Sequence, residues 1–367
     1  MPVVIYMIAM NRTIIQRRAR LNVAFAPQNT ASTAAAGDHA ITEMRWFPVR
    51  EPVSGNRYTV LRVKTRTGLT GWGETGVVAD QDAKALEKAW TGKSATLYST
   101  IQPGTPAGSA LDMALLDILG KAAKAPVYRV LGGPTRHKVR AFTDSAATGF
   151  NAIAITAPKP ASRNMGKQYQ NVIEALVKQV PDDQDFVLSA NGVLSAGDAA
   201  SVASTIEKSH PLWIDEPCSA SNLEVLRKIA HENVTPLGFG RGITEMAAFL
   251  GLLKESLVDI VRPDLALMGI TGTRRVAVLA EAYYVAIAPN HDGGPIGTAA
   301  ALHLAASVPN FFIQHIPVPA DPKDREMRAA IVSGGIETPK DGFLQLSTAP
   351  GLGIEVNESA LEKYHAA

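Results

Sequence analysis

The chain has 367 residues, of which 46% are hydrophobic and 19% charged, with a formal net charge of +2. That length exceeds one ordinary core and predicts a large domain with a smaller companion. A near-neutral balance without a basic block excludes the electrostatic footprint of nucleic-acid or anionic-membrane binding, and the single cysteine, Cys218, excludes an internal disulfide or a cysteine-rich zinc site.

Residues 1–40 read as an N-terminal extension. Met1 to Gly37 has no acidic residue but carries Arg12, Arg17, Arg18 and Arg20. The apolar stretch Val3 to Met10 is too short to span a bilayer, and it precedes the basic residues, the reverse of a signal peptide. Two expectations stand: an extension without ordered structure, or a leader that would export the protein. Without a leader, the default placement is cytoplasmic.

Ordered sequence is expected from Ile41. Tyr58 to Thr65 alternates apolar and polar residues, which predicts a half-exposed strand, with Leu69 to Glu74 returning after the Thr67-Gly68 turn. Ala107 to Lys124 has the spacing of a buried helix, and Pro126 ends it. Leu131-Gly132-Gly133-Pro134 is loop punctuation. Beyond it, short apolar runs centre on Ala141, Ile153, Phe186, Trp213, Leu237, Ile260, Ile287 and Phe312, with helical segments such as Met165 to Gln179, Ala196 to Lys208 and Gly272 to Tyr284 between them. Eight strand–helix units predict a TIM-type barrel. About 12 residues separate the first two centres, too few for a strand, a crossover helix and a strand. Either the first outer helix is missing, leaving apolar side chains for the N-terminal segment, the cap or another subunit to cover, or the first strand is irregular.

Four segments, in order, resemble the enolase superfamily and within it the mandelate racemase and muconate lactonising family. They are Gly68 to Glu74, Ala110 to Lys121 running on to Pro134, Trp213 to Pro217, and Asp341-Gly342 with Pro350 to Gly353. The resemblance covers Ile41 to Glu362. It implies an α/β protein: an α+β cap over 41–134, a TIM-type barrel over 135–345, and a segment 346–367 returning to the cap. It also implies a homo-oligomer and the family reaction. That reaction is proton abstraction next to a carboxylate, assisted by Mg²⁺ on three carboxylates, as in sugar-acid dehydration or racemisation.

The positions matching the family's site depart from its pattern. Its Lys-x-Lys falls on Ala154 and Thr156, and the first metal ligand falls on Ser189. Glu216 keeps the second ligand, and Arg241 replaces the third. Asp264 matches the dyad aspartate, but the usual Pro-His-Asn is Pro289-Asn290-His291, and the acidic residue of the eighth strand is His315. Ser189, Glu216 and Arg241 together carry no net charge, which disfavours a hard divalent ion. The expectation is no cofactor, with magnesium only if the altered site still holds it, and an Arg241–Glu216 ion pair where the ion would sit. Asp264, His291 and His315 are the candidate catalytic residues. Asn191, Arg241 and Asn290 are the candidate contacts to a small carboxylate or sugar acid. His303, inside the apolar run Ala299 to Ala306, is expected to be structural. A non-catalytic sugar-acid binding protein and a metal-independent lyase or isomerase using Arg241, His291 and Asp264 both remain open.

Overall fold

The computed structural model describes residues 39–366 apart from 145, 146, 164 and 233, so the expectations for residues 1–38 lie outside it. Three antiparallel strands open the fold, β1 (Ile41–Arg50), β2 (Arg57–Thr65) and β3 (Thr70–Thr75), in that spatial order. Helices α1 (Asp80–Trp90), α2 (Pro106–Ala122) and α3 (Val127–Val130) follow. Thr105 caps α2 by accepting from the Gly108 N–H, and the helix is buried over most of its length, as an apolar helix between two bodies must be. Gly71 and Gly73 let β3 lie directly on α2: an added Cβ would stand 2.1 Å from the Ala114 carbonyl oxygen and 1.9 Å from that of Ala110.

A second body begins with β4 (Lys138–Phe142). Six parallel strands follow in sequence order, β5 (Ala152–Thr156), β6 (Asp185–Ser189), β7 (Trp213–Asp215), β8 (Leu237–Phe239), β9 (Ile260–Val261) and β10 (Ala286–Ile287). β11 (Gln314–His315) pairs parallel with β4, and β12 (Phe343–Gln345) pairs antiparallel with it. Single parallel bridges, Thr143 to Ile153 and Ile287 to Phe311, join the two sheets at both seams. This places β4 to β11 in barrel order, with the last pairing a few residues beyond the predicted centre at Phe312. Side chains alternate as a barrel requires: Val187 joins Phe142, Ala154, Trp213, Ile260 and Ile313 in one buried cluster, while Phe186 and Leu188 pack with the helices. The helices are α4 (Lys167–Val177), α5 (Ala196–Ile206), α6 (Leu223–Glu232), α7 (Met246–Lys254), α8 (Leu265–Glu281, broken at Gly269), α9 (Pro295–Ser307), α10 (Pro322–Ile331) and α11 (Glu358–Lys363). Among the described residues no helix is long and apolar enough to cross a membrane.

Two expectations are corrected. β2 is buried almost throughout rather than half exposed. It is the central strand, and Arg62 on its polar side is ion-paired to Glu43 and to Glu358 of α11, so the C-terminal segment covers that face. The first outer helix is indeed missing among the described residues between β4 and β5. Its flank, however, is covered by the barrel domain's own chain: Phe150 and Leu344 close over Val139, Ala141, Leu302, Ala305 and Ile316. Gly342 N–H donates to the Gly149 carbonyl at 2.7 Å, tying β12 to the short link.

Candidate functional site

The C-terminal ends of the barrel strands carry a continuous chain of polar side chains. Strand ends are where a barrel exposes side chains on a rigid frame, so this is the candidate site. Ser189 and Asn191 follow β6. The Ser189 hydroxyl donates to Asn191 Oδ1 at 3.1 Å, and Arg241 Nη2, beyond β8, donates to the same oxygen at 2.9 Å and to Ser189 Oγ at 3.4 Å. Arg241 Nη2 also meets Asp215 Oδ2 at 3.1 Å. Asp215 Oδ1 accepts from Arg262 Nε and from Trp213 Nε1, each at 2.8 Å. Arg262 Nη2 reaches Asn290 Oδ1 at 3.4 Å, and Asn290 Nδ2 donates to Asp264 Oδ2 at 2.9 Å and Asp292 Oδ2 at 2.8 Å. Asp292 lies 3.4 Å from His315 Nδ1, and His315 Nε2 shares a 2.6 Å hydrogen bond with Asp144 Oδ2.

The expected Arg241–Glu216 ion pair is not formed through the side chain. Glu216 Oε1 accepts the backbone N–H groups of Gly240 at 2.7 Å and Arg241 at 2.8 Å, while the guanidinium turns to Asp215. Burial pushes the Glu216 carboxyl up, against those two N–H groups, and nearby Asp215 pushes the same way. Asp264 is also raised, first by burial. It caps α8 through the Ala266 N–H at 2.7 Å.

The expected approach of His291 to Asp264 is not made either. Asp264 bridges to Asn290, and the next side chain along the strand points the other way. His291 lies buried against Thr298 Oγ1 at 3.0 Å. Burial, with the charges of Arg328 and His315, drives its pKa down to about 3, so the ring is neutral at physiological pH. His315 is the opposite case. Burial lowers it, but the charge and hydrogen bond of Asp144, with Asp292, more than offset this and raise its pKa. Burial likewise raises Asp144, and His315, Arg262 and Arg241 outweigh it to hold that carboxyl low. His303 is stacked on Tyr128 and accepts its backbone N–H at 3.3 Å, so its surroundings are those of a core residue.

Sequence reasoning missed Asp144, Asp215, Arg262 and Asp292. Two signals were available. Asp215 and Arg262 are charged residues directly after apolar strand residues, and Asp144 and Asp292 follow two and five residues after the ends of β4 and β10.

The donor set does not fit a magnesium ion. Such an ion seeks near-octahedral oxygen ligands, usually with one or two carboxylates. Here a guanidinium is hydrogen-bonded across Ser189 and Asn191, and the Glu216 carboxylate is held by backbone N–H groups. Among the described residues no group of three or more His, Cys, Asp or Glu side chains is arranged to hold an ion.

Comparison with known proteins gives the ancestry. Residues 41–132 match the mandelate racemase / muconate lactonizing enzyme N-terminal domain, and residues 137–360 match the enolase C-terminal domain-like family. The chain belongs to the mandelate racemase / muconate lactonizing enzyme family. A D-galactonate dehydratase family member from Streptomyces bingchenggensis is 26% identical, over 84% of this chain and 90% of that protein. A D-galactonate dehydratase from Xanthomonas campestris is 27% identical, over 84% and 91%. An enolase from Agrobacterium radiobacter, solved with Na and L-malate bound and an ordered active site, superposes with a TM-score of 0.78 at 27% identity, covering 89% of this chain and 95% of that one. The mandelate racemase / muconate lactonizing fold, a cap followed by a TIM barrel, is therefore the architecture of this chain.

Proposed function

We propose that the barrel mouth binds a small carboxylate of the sugar-acid class through Arg241, without a divalent metal, and that the magnesium-assisted α-proton chemistry of the family is absent. The observation that carries this reading is the sharing of one carboxylate, Asp215, between two guanidiniums, Arg241 at 3.1 Å and Arg262 at 2.8 Å. Arg262 is fully buried and needs that charge. Arg241 is partly exposed and is left with positive charge to offer a ligand, with Asn191 beside it as a second polar contact. Arginine matches carboxylates with two parallel N–H bonds, and such bonds contribute about 1.5–3 kcal/mol. The similarity to sugar-acid dehydratases supports the ligand class. The metal-independent lyase reading loses support, because His291 and Asp264 do not meet.

Calorimetry with D-gluconate and D-galactonate in EDTA tests the proposal. Binding should be present without metal and fall about tenfold or more in Arg241→Gln. Magnesium-dependent turnover of any sugar acid by the unmodified protein would overturn it.

A further inference from the structure

A cavity of about 380 Å³ lies beside the barrel between the β4–β5 link, α10 and the chain that follows it. Its wall includes Phe150, Val318, Ala329, Val332 and Ile336, with Arg325 on the solvent side. The volume falls within the ~300–1,000 Å³ typical of small-molecule pockets.

The charges on the wall differ in one decisive way. Arg328 and Glu337 are satisfied by each other at 2.9 Å, and Arg328 also holds Glu51 at 2.7 Å. Arg325 is different. Its Nη1 donates to the Pro319 and Ala320 carbonyls at 2.8 and 2.6 Å, which orients the guanidinium, but it has no carboxylate partner among the described residues. The cavity therefore combines a mainly apolar wall, interrupted by Thr148, Thr338 and the Arg328–Glu337 pair, with one oriented cation that has no carboxylate partner among the described residues.

We infer that this cavity is a binding site for an amphipathic monocarboxylic acid, with its hydrocarbon or aryl body in the cavity and its carboxylate at Arg325. The apolar wall selects against a polyhydroxylated acid, whose hydroxyls would lose their hydrogen bonds to water on entry. The cavity's lining shares no residue with the polar chain at the mouth around Arg241, and it takes a different class of ligand. Each methylene buried strengthens binding by about fourfold. The exposed guanidinium adds about fivefold, the upper end for a solvent-screened ion pair.

The test uses the full chain, with hexanoate, octanoate, 4-phenylbutyrate and octan-1-ol as probes in calorimetry and saturation-transfer NMR. Octanoate, with two more methylenes, should bind about fifteenfold more tightly than hexanoate. Ala329→Leu fills the cavity from an exposed helix position and should abolish binding of all four probes. Arg325→Gln, at another exposed position, should weaken the acids about fivefold and leave octan-1-ol unchanged. D-gluconate should not displace octanoate. The inference is overturned if no probe binds at millimolar concentration, if Ala329→Leu folds and still binds octanoate, or if gluconate competes. Equal affinity for octanoate and octan-1-ol, or indifference of the acids to Arg325→Gln, overturns the carboxylate assignment.

Discussion

Replacing Asp215 by alanine separates the structural and the binding roles of the polar chain. The Asp215 and Arg262 side chains are 3% and 2% exposed and meet at 2.8 Å. The Arg262 guanidinium also donates to the Ala288 carbonyl at 2.6 Å and faces the Phe142 and Trp213 rings at 5.6 and 5.2 Å. Truncation would leave that guanidinium buried without a carboxylate and remove the acceptor of Trp213 Nε1. Breaking one side of a buried pair costs about 3–5 kcal/mol, because the surviving charge stays desolvated. Urea denaturation of Asp215→Ala should show a loss of that size at an unchanged slope. The double variant Asp215→Leu with Arg262→Met removes both charges and should recover most of it. Arg241 loses its partner in the single variant too, so affinity for D-gluconate should rise while stability falls. A stability loss under about 1 kcal/mol would refute the assignment of this pair as a buried, mutually dependent ion pair.

Glu74 gives a pH-dependent prediction. Burial pushes its carboxyl from 4.5 to about 7, against the Gly294 N–H and the charge of Arg328. A raised folded-state pKa means that stability is fully present below pH 4.5 and is lost as pH rises through 7, by about 3 kcal/mol in full. Glu74→Gln should therefore be more stable than the native chain at pH 8 and close to it at pH 4; equal effects at both pH values in thermal melts would contradict this. Sugar-acid binding should strengthen as pH falls through a midpoint above the ordinary histidine value of 6.5, because His315 is raised. Asp144→Asn should move that midpoint down in calorimetry, while His291→Asn leaves the profile unchanged. Magnesium should give no site-specific heat with the native chain. Ser189→Asp and Arg241→Glu, combined with Asn290→His and His291→Asn, should restore it, and a magnesium thermal shift of the native protein that vanishes in Glu216→Gln would sink that expectation.

The sequence by itself was enough for the architecture and for which residue types stand at the strand ends. Strand–helix periodicity reports which faces are buried, so the eight barrel strands and the short first connection were legible before any coordinates, while the choice between a lost helix and an irregular first strand was not. Glu216, Ser189, Arg241 and the exchanged Asn290-His291 were legible because they sit at motif positions. Partner choice was not. Whether Arg241 turns to Glu216 or to Asp215 depends on which carboxylate the backbone N–H groups of Gly240 and Arg241 already occupy, and that is a three-dimensional fact. The Asp144–His315 pair joins residues 171 positions apart, and local pattern carries no information about such a contact. The half-exposed reading of β2 failed for the same reason: alternation shows that a strand has two faces, but only the packed structure decides that the C-terminal helix covers the polar one. Periodicity is a local property of the chain, whereas the cover over a face, the partner of a charge and the cavity beside α10 arise only when distant segments compete for the same space.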